Sequence, residues 1–315
     1  MKKDEIIKFI EEVFQQKFPC AYVDGYLQSN GNTISGNLNN GFSYGTRFYA
    51  QASKRKYLHF TKTESAIKIL ESSSLWLSNL NTFNDKLEFI LAAEKLFNLS
   101  KDETLEYKNK LFAASFTELN INQNVFAEFP YHWQKYAEVE KGVALEFEFK
   151  QYKNDGYECF EDPALKPFYY LVRVQYYDDI TQDTIISSLK LKINSLITEK
   201  NLIEFLFPLI SAYKREKEEP ENFIEEKEIR LLYSDGNNPI DCKPYRISHN
   251  AETFYGLTYN EFKPFHQLPF TYGNLNSSKT SLNLNGIYLG RHIDKEHKLH
   301  ITDISNRLGI KLHVN

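Results

Sequence analysis

Two short stretches hold the side chains best suited to chemistry. In LHFTKTESAIKIL, His59 and Thr61 close an apolar run and lead into a helical pattern. Far downstream, EEKEIRLLY sets Glu226, Glu228 and Arg230 at alternate positions. Alternation is the period of a strand, so the three are expected to project to one face. A carboxylate there can stabilise the positive charge that builds on a sugar as its glycosidic bond breaks, where a neutral amide would do far less. Arg230 can hold Glu226 in a bidentate pair, which makes Glu226 either a structural partner or a second acid that orients a nucleophile. The imidazole of His59 donates or accepts according to its tautomer. Each feature also has a plainer reading: an exposed charge ladder for the strand, a hydrogen-bonded core histidine for His59.

The elements that must position these groups follow from periodicity. Residues 4 to 18 repeat Ile6, Ile7, Phe9, Ile10, Val13 and Phe14 at amphipathic helical spacing. Residues 25 to 45 gather five glycines among Asn and Ser and are expected to form a flexible loop, a lid or a plain linker. YLHF reads as a strand, SAIKILES as a helix capped by Thr63, and LWLS as a second strand. LEFILAAEKLF reads as a helix with Asn84 and Asp85 as its cap, and LFAASFT as a strand. YHWQKYAEV is expected to be a short helix that sets Trp133 and Tyr136 one turn apart, a spacing that also suits core packing. GVALEFEF and YYLVRVQYY follow as strands, and residues 182 to 213 as a long or broken helical region. The run KREKEEPEN reads as a solvated surface loop broken by Pro220. EIRLLY, NGIYLG and IKLHV are later strands, with a helix ending at Gly309 before the last of them.

The chain has 315 residues, enough to bury a substantial core, with 21 Tyr and 24 Phe against one Met and 13 Gly. It divides into residues 1–50, a helix and a Gly/Asn-rich loop, and residues 51–315, a single α+β domain. No apolar run reaches the roughly 18 residues a membrane span needs, and the acidic N-terminus is unlike a signal peptide. Cys20, Cys159 and Cys242 have no paired spacing, so a reducing cytoplasm is expected rather than a disulfide framework or zinc knuckle. The formal charge of −4 gives no general attraction to polyanions. Lys54, Arg55 and Lys56 can still reach phosphates locally, or form a solvated turn. His292, His297 and His300 lack metal-ligand spacing, so no metal is expected. A Ser115 nucleophile lacks a GxSxG elbow, and neither GxGxxG nor a phosphate-binding P-loop occurs.

Six blocks, YLHFTKTESAIKILESSSLWLSN, FNDKLEF, AASFT, YHWQKYAEVEKGVALEF, EEKEIRL and GIYLG, resemble in the same order those of a bacterial family, domain of unknown function twenty-nine seventy-one. They span residues 57 to 290. Lys86 stands where that family tends to have proline, a tryptophan often seen shortly before the ExExR block is absent, and the first 50 residues have no counterpart. More distantly, the blocks are similar to the ADP-ribosyltransferase fold. That resemblance implies a split, mainly antiparallel sheet with flanking helices and a site for NAD as substrate. By the same likeness Glu228 grips the ribose 2′-hydroxyl as the catalytic acid, with Glu226 beside it. His59, Thr61, Ser115, Trp133, Tyr136 and Arg230 would serve NAD binding, His59 on a ribose hydroxyl and Trp133 or Tyr136 stacked on nicotinamide. The implied activity is transfer of ADP-ribose to an intracellular macromolecule, protein or RNA/DNA, in a toxin or phage-defence effector that can have a regulatory or antitoxin partner. The competing expectations are an NAD glycohydrolase and a non-catalytic binding module of the same fold.

Overall fold

The computed structural model describes residues 8–30, 33–39, 41–50, 55–83, 89–120, 122–150, 152–154, 157–159, 169–196, 205–218, 221–234, 265–272 and 282–314. A ten-stranded, mainly antiparallel open sheet organises them. Its strands are β1 (Lys56–Thr61), β2 (Ser74–Asn79), β3 (Leu111–Leu119), β4 (Val143–Phe149), β5 (Tyr169–Arg173), β6 (Glu228–Ser234), β7 (Phe265–Pro269), β8 (Thr271–Tyr272), β9 (Leu282–Leu289) and β10 (Lys311–Val314). The main path runs β7-β2-β3-β1-β4-β9-β8, with β10 parallel to β9, and β6 joining β3 to β5. The α-helices of six or more residues among the described residues are α1 (Thr63–Ser72), α2 (Ile90–Phe97), α3 (Lys101–Lys108), α4 (Pro130–Lys135), α5 (Thr184–Leu196) and α6 (Lys295–Leu308).

The register of β3 decides the shape of the molecule. One edge pairs with β6 continuously from Leu111–Ser234 to Thr117–Glu228. The other edge is shared: β2 takes Phe112 and Ala113, and β1 takes Thr117, Glu118 and Leu119. Ala114, Ser115 and Phe116 are left between them with no strand partner on that edge. The sheet therefore opens a wedge beyond the Leu58–Thr117 pair, and the C-terminal half of β1 runs on beside β4 alone.

Burial closes both faces. Tyr57, Leu145, Phe147 and Ile287 pack under Ala66 and Ile69 of α1 and Ile301 and Ile304 of α6. Across the sheet, Leu111, Ala113 and Leu232 pack against Ala92, Ala93 and Leu96 of α2 and against Ile186 and Leu189 of α5. Each leucine, isoleucine or phenylalanine among them contributes roughly 1.5–3 kcal/mol on burial. Phe9, Phe14, Phe18 and Phe48 lie in that second cluster, so the residues before 50 share a core with the rest. Asp294 caps α6 by accepting from the His297 amide, and Gly309 ends it at φ 65°, as its sequence indicates.

Several local expectations are corrected. Where composition predicts a loop, Val23–Asn30 and Thr33–Leu38 pair as antiparallel strands; cross-strand backbone bonds satisfy a segment that is poor in apolar side chains. Thr63 does not cap α1; its hydroxyl donates to the Lys141 carbonyl at 2.7 Å, and Lys62 takes the cap position. YYLVRVQYY breaks into two strands, because Gln175–Tyr177 leaves β6 to pair with Tyr213–Arg215. Asn84, Asp85, Lys54 and Pro220 lie outside the described residues.

Candidate functional site

The wedge in the sheet holds a cavity of about 290 Å³. His59 and Thr61 of β1, Ser115 and Thr117 of β3, and Glu228 at the head of β6 line it, so the early histidine and the late acid face one space. Ser115 links them. Its carbonyl, freed by the missing strand partner, accepts from His59 Nδ1 at 2.9 Å, while its hydroxyl donates to Glu228 Oε1. A carbonyl can only accept, so His59 carries its proton on Nδ1 and keeps a lone pair on Nε2. Burial pushes the imidazole below its ordinary 6.5, against the raising effect of the Ser115 bond, which leaves it neutral near pH 7.

Glu228 is held from behind. Arg230 Nε donates to Oε1 at 3.0 Å and Nη2 to Oε2 at 2.8 Å, and Lys214 Nζ lies 3.5 Å from Oε2. Burial alone would raise this carboxyl, but Arg230 and Lys214, with the hydrogen bonds from Arg230 and Ser115, outweigh it and hold the group at about 2. Its backbone amide donates to the Tyr176 hydroxyl at 2.9 Å. A carboxylate offers about four acceptor sites; Ser115 and Arg230 fill three, and the fourth is on Oε2, the oxygen that Lys214 approaches.

The expected strand ladder is only half present. β6 starts at Glu228; Glu226 ends a 3-10 turn, Phe223–Glu226, and Lys227 between the acids is left-handed at φ 45°. That kink, not strand alternation, brings Glu226 to the cavity. Arg230 pairs with Glu228 rather than with Glu226, because Glu226 is already taken. Its Oε2 accepts from Lys214 at 2.6 Å, Oε1 accepts from the Tyr136 hydroxyl, and Lys135 lies 3.7 Å away. Burial and the Glu226 charge keep the Tyr136 phenol protonated.

Tyr136 lines the cavity. A strained turn follows it, with Glu138, Val139 and Glu140 all left-handed at φ 49°, 57° and 64°. The surroundings over-determine that turn: Gly142 donates to the Ala137 carbonyl at 2.7 Å, His292 donates to the Glu140 carbonyl at 2.9 Å, and a Cβ on Gly290 would lie 2.1 Å from that carbonyl oxygen. Trp133 is corrected. It is not at the cavity; it sits in the core between Phe60 and Phe126, and its Nε1 donates to the Val125 carbonyl at 3.0 Å. Arg230 is also set back from the cavity, wholly buried behind Glu228.

Two titratable lining residues, Lys214 and His132, were not anticipated from the sequence. Lys214 opens the run expected to be a solvated loop, yet it is 6 % exposed, on a strand, with its ammonium between the two acids. Its charge joins those of Arg230 and Lys135 around the two carboxylates, without which the acids would not tolerate so dry a position. His132 is buried with Nε2 2.9 Å from the Glu226 carbonyl, which fixes its proton on Nε2. The apolar neighbours of Lys214, Ala212 and Tyr213, were its one local signal. Of the basic triple, Arg55 pairs with Glu118 at 3.2 Å and Lys56 with Glu146 at 2.7 Å. Among the described residues no group of three or more His, Cys, Asp or Glu is placed to hold a metal ion. No helix among them is long and apolar enough to cross a membrane.

A family model described as Protein of unknown function (DUF2971) matches residues 132–231. The chain resembles that family over this stretch. The match takes in His132, Tyr136, Lys214, Glu226, Glu228 and Arg230, and stops short of His59 and Ser115. No curated protein and no solved structure matches the chain. The likeness drawn from the sequence blocks is thereby supported from residue 132 to residue 231, and the ADP-ribosyltransferase likeness gains nothing from these comparisons.

Proposed function

We propose that the cavity takes the nicotinamide–ribose end of NAD, breaks the bond between them and transfers ADP-ribose to an intracellular macromolecule. The observation that carries this reading is the Ser115 bridge, which sets a neutral imidazole and an ionised carboxylate into one wedge. Departure of nicotinamide leaves positive charge on the ribose ring, and Glu228 stays ionised far below neutral pH to meet it. Its remaining acceptor site suits the ribose 2′-hydroxyl, and the Nε2 lone pair of His59 suits a second ribose hydroxyl. Tyr136 supplies the aromatic wall. The cavity stands at the lower end of ligand pockets, about 300–1,000 Å³, so it fits one half of a dinucleotide with the adenosine half outside.

Incubating labelled NAD and cell extract with the wild type and with Glu228→Gln tests the reading. Label retained on a macromolecule by the wild type, and reduced about 10²-fold or more in the variant, is the expected result. Free ADP-ribose alone would make the protein a glycohydrolase. Absence of both NAD binding and NAD consumption would overturn the reading in favour of a non-catalytic binding module.

A further inference from the structure

A second cavity, of about 320 Å³, adjoins the first. Thr117 and His132 line both. Away from that shared wall it is bounded by Asn120 and Gln123, the Tyr131 ring, and the exposed Glu128, Glu225 and Lys227. Glu118 on its floor lies between Arg55 and Arg173, at 3.2 and 2.7 Å, so that charge is already balanced. Exposed acids and an exposed lysine stand side by side there, and the amides and the threonine hydroxyl add hydrogen-bonding capacity. Such a lining favours a neutral polar group over a cation or a polyanion.

His132 is the group common to both spaces that can move a proton. The Glu226 carbonyl holds the proton on Nε2, which leaves a lone pair on Nδ1. Burial drives the imidazole down to about 4, with the Glu226 bond opposing and Lys227 assisting, so the lone pair is available at neutral pH. Phe60, Phe129, Tyr131 and Tyr136 pack around the ring and fix its plane.

Resting on the reading of the first cavity as the NAD site, we infer that the second cavity holds the acceptor hydroxyl and that His132 is the base that takes its proton. In that step the acceptor oxygen forms a bond to ribose C1′. The bond from C1′ to the nicotinamide nitrogen breaks and its electron pair neutralises the pyridinium. The hydroxyl proton passes to His132 Nδ1 and from there to water.

The test uses methanol as a neutral hydroxyl probe, with NAD and the full chain. The wild type is expected to form methyl ADP-riboside and to release nicotinamide. His132→Gln, whose side-chain amide can still donate to the Glu226 carbonyl, should lose methyl ADP-riboside formation at saturating NAD by about 10²-fold or more. The acid limb of the wild-type pH–rate profile should lie well below the usual histidine range and be absent from the variant. His132→Asn is the second variant should glutamine impair folding. Equal methanolysis by wild type and variants, or an unchanged acid limb, overturns the assignment of His132 while the NAD reading stands. A wild type that binds NAD and releases no nicotinamide overturns both.

Discussion

Arg230 grips both oxygens of Glu228 from a position without solvent exposure, through Nε at 3.0 Å and Nη2 at 2.8 Å. The two are neighbours but one along β6, and Arg230 Nη1 also donates to the Ser211 carbonyl. A buried pair of this kind adds little over a well-packed apolar substitute, yet removing one partner strands the other charge. Arg230→Leu should therefore cost about 3–5 kcal/mol in urea unfolding. A variant within about 1 kcal/mol of wild type would show that Lys214 alone can compensate Glu228.

Acid should weaken the fold in two adjoining windows. The His132 imidazole lies at about 4 in the folded chain against an ordinary 6.5, so the unfolded chain takes up the proton first. Stability from this group is complete above pH 6.5 and is lost as pH falls from 6.5 towards 4. Glu228, held at about 2 against an ordinary 4.5, contributes fully above 4.5, and that contribution is lost as pH falls from 4.5 towards 2. Urea unfolding as a function of pH should show His132→Gln reducing the slope of the upper window, to which the buried His59 also contributes, and Glu228→Gln reducing that of the lower. A His132→Gln slope equal to that of wild type across the upper window would refute this account.

Trp133 separates packing from binding. Trp133→Phe removes the indole N–H that satisfies the Val125 carbonyl and leaves a gap between Phe60 and Phe126. A loss of about 1–3 kcal/mol in stability is expected. If the cavity takes NAD as proposed, the KM of the folded variant for it should not change, since the ring lies off the cavity. A raised KM with unaltered stability would return Trp133 to the site.

Much of the fold was legible because it is written in local spacing. The two-residue period of GVALEFEF, the apolar run of LFAASFT and the glycine that ends α6 each determine their own neighbourhood. The antiparallel pairing of Val23–Asn30 with Thr33–Leu38 was not legible, because backbone bonds rather than side-chain burial make it. Glu226 and Lys214 were misplaced for a different reason. A single left-handed residue, Lys227, redirects the first, and burial against acids distant from the charged run recruits the second.

What the sequence alone determined is most of the side chains that can do chemistry and those strands and helices that carry a clear apolar period, since both follow from residue type and near-neighbour spacing. Only the tertiary structure decided that β3 shares one edge between β1 and β2. That sharing leaves the Ser115 carbonyl without a strand partner, so His59 turns to it and meets Glu228 in the opening. Which strands lie side by side is set by contacts between residues far apart in the chain, and no local pattern encodes the gap they leave.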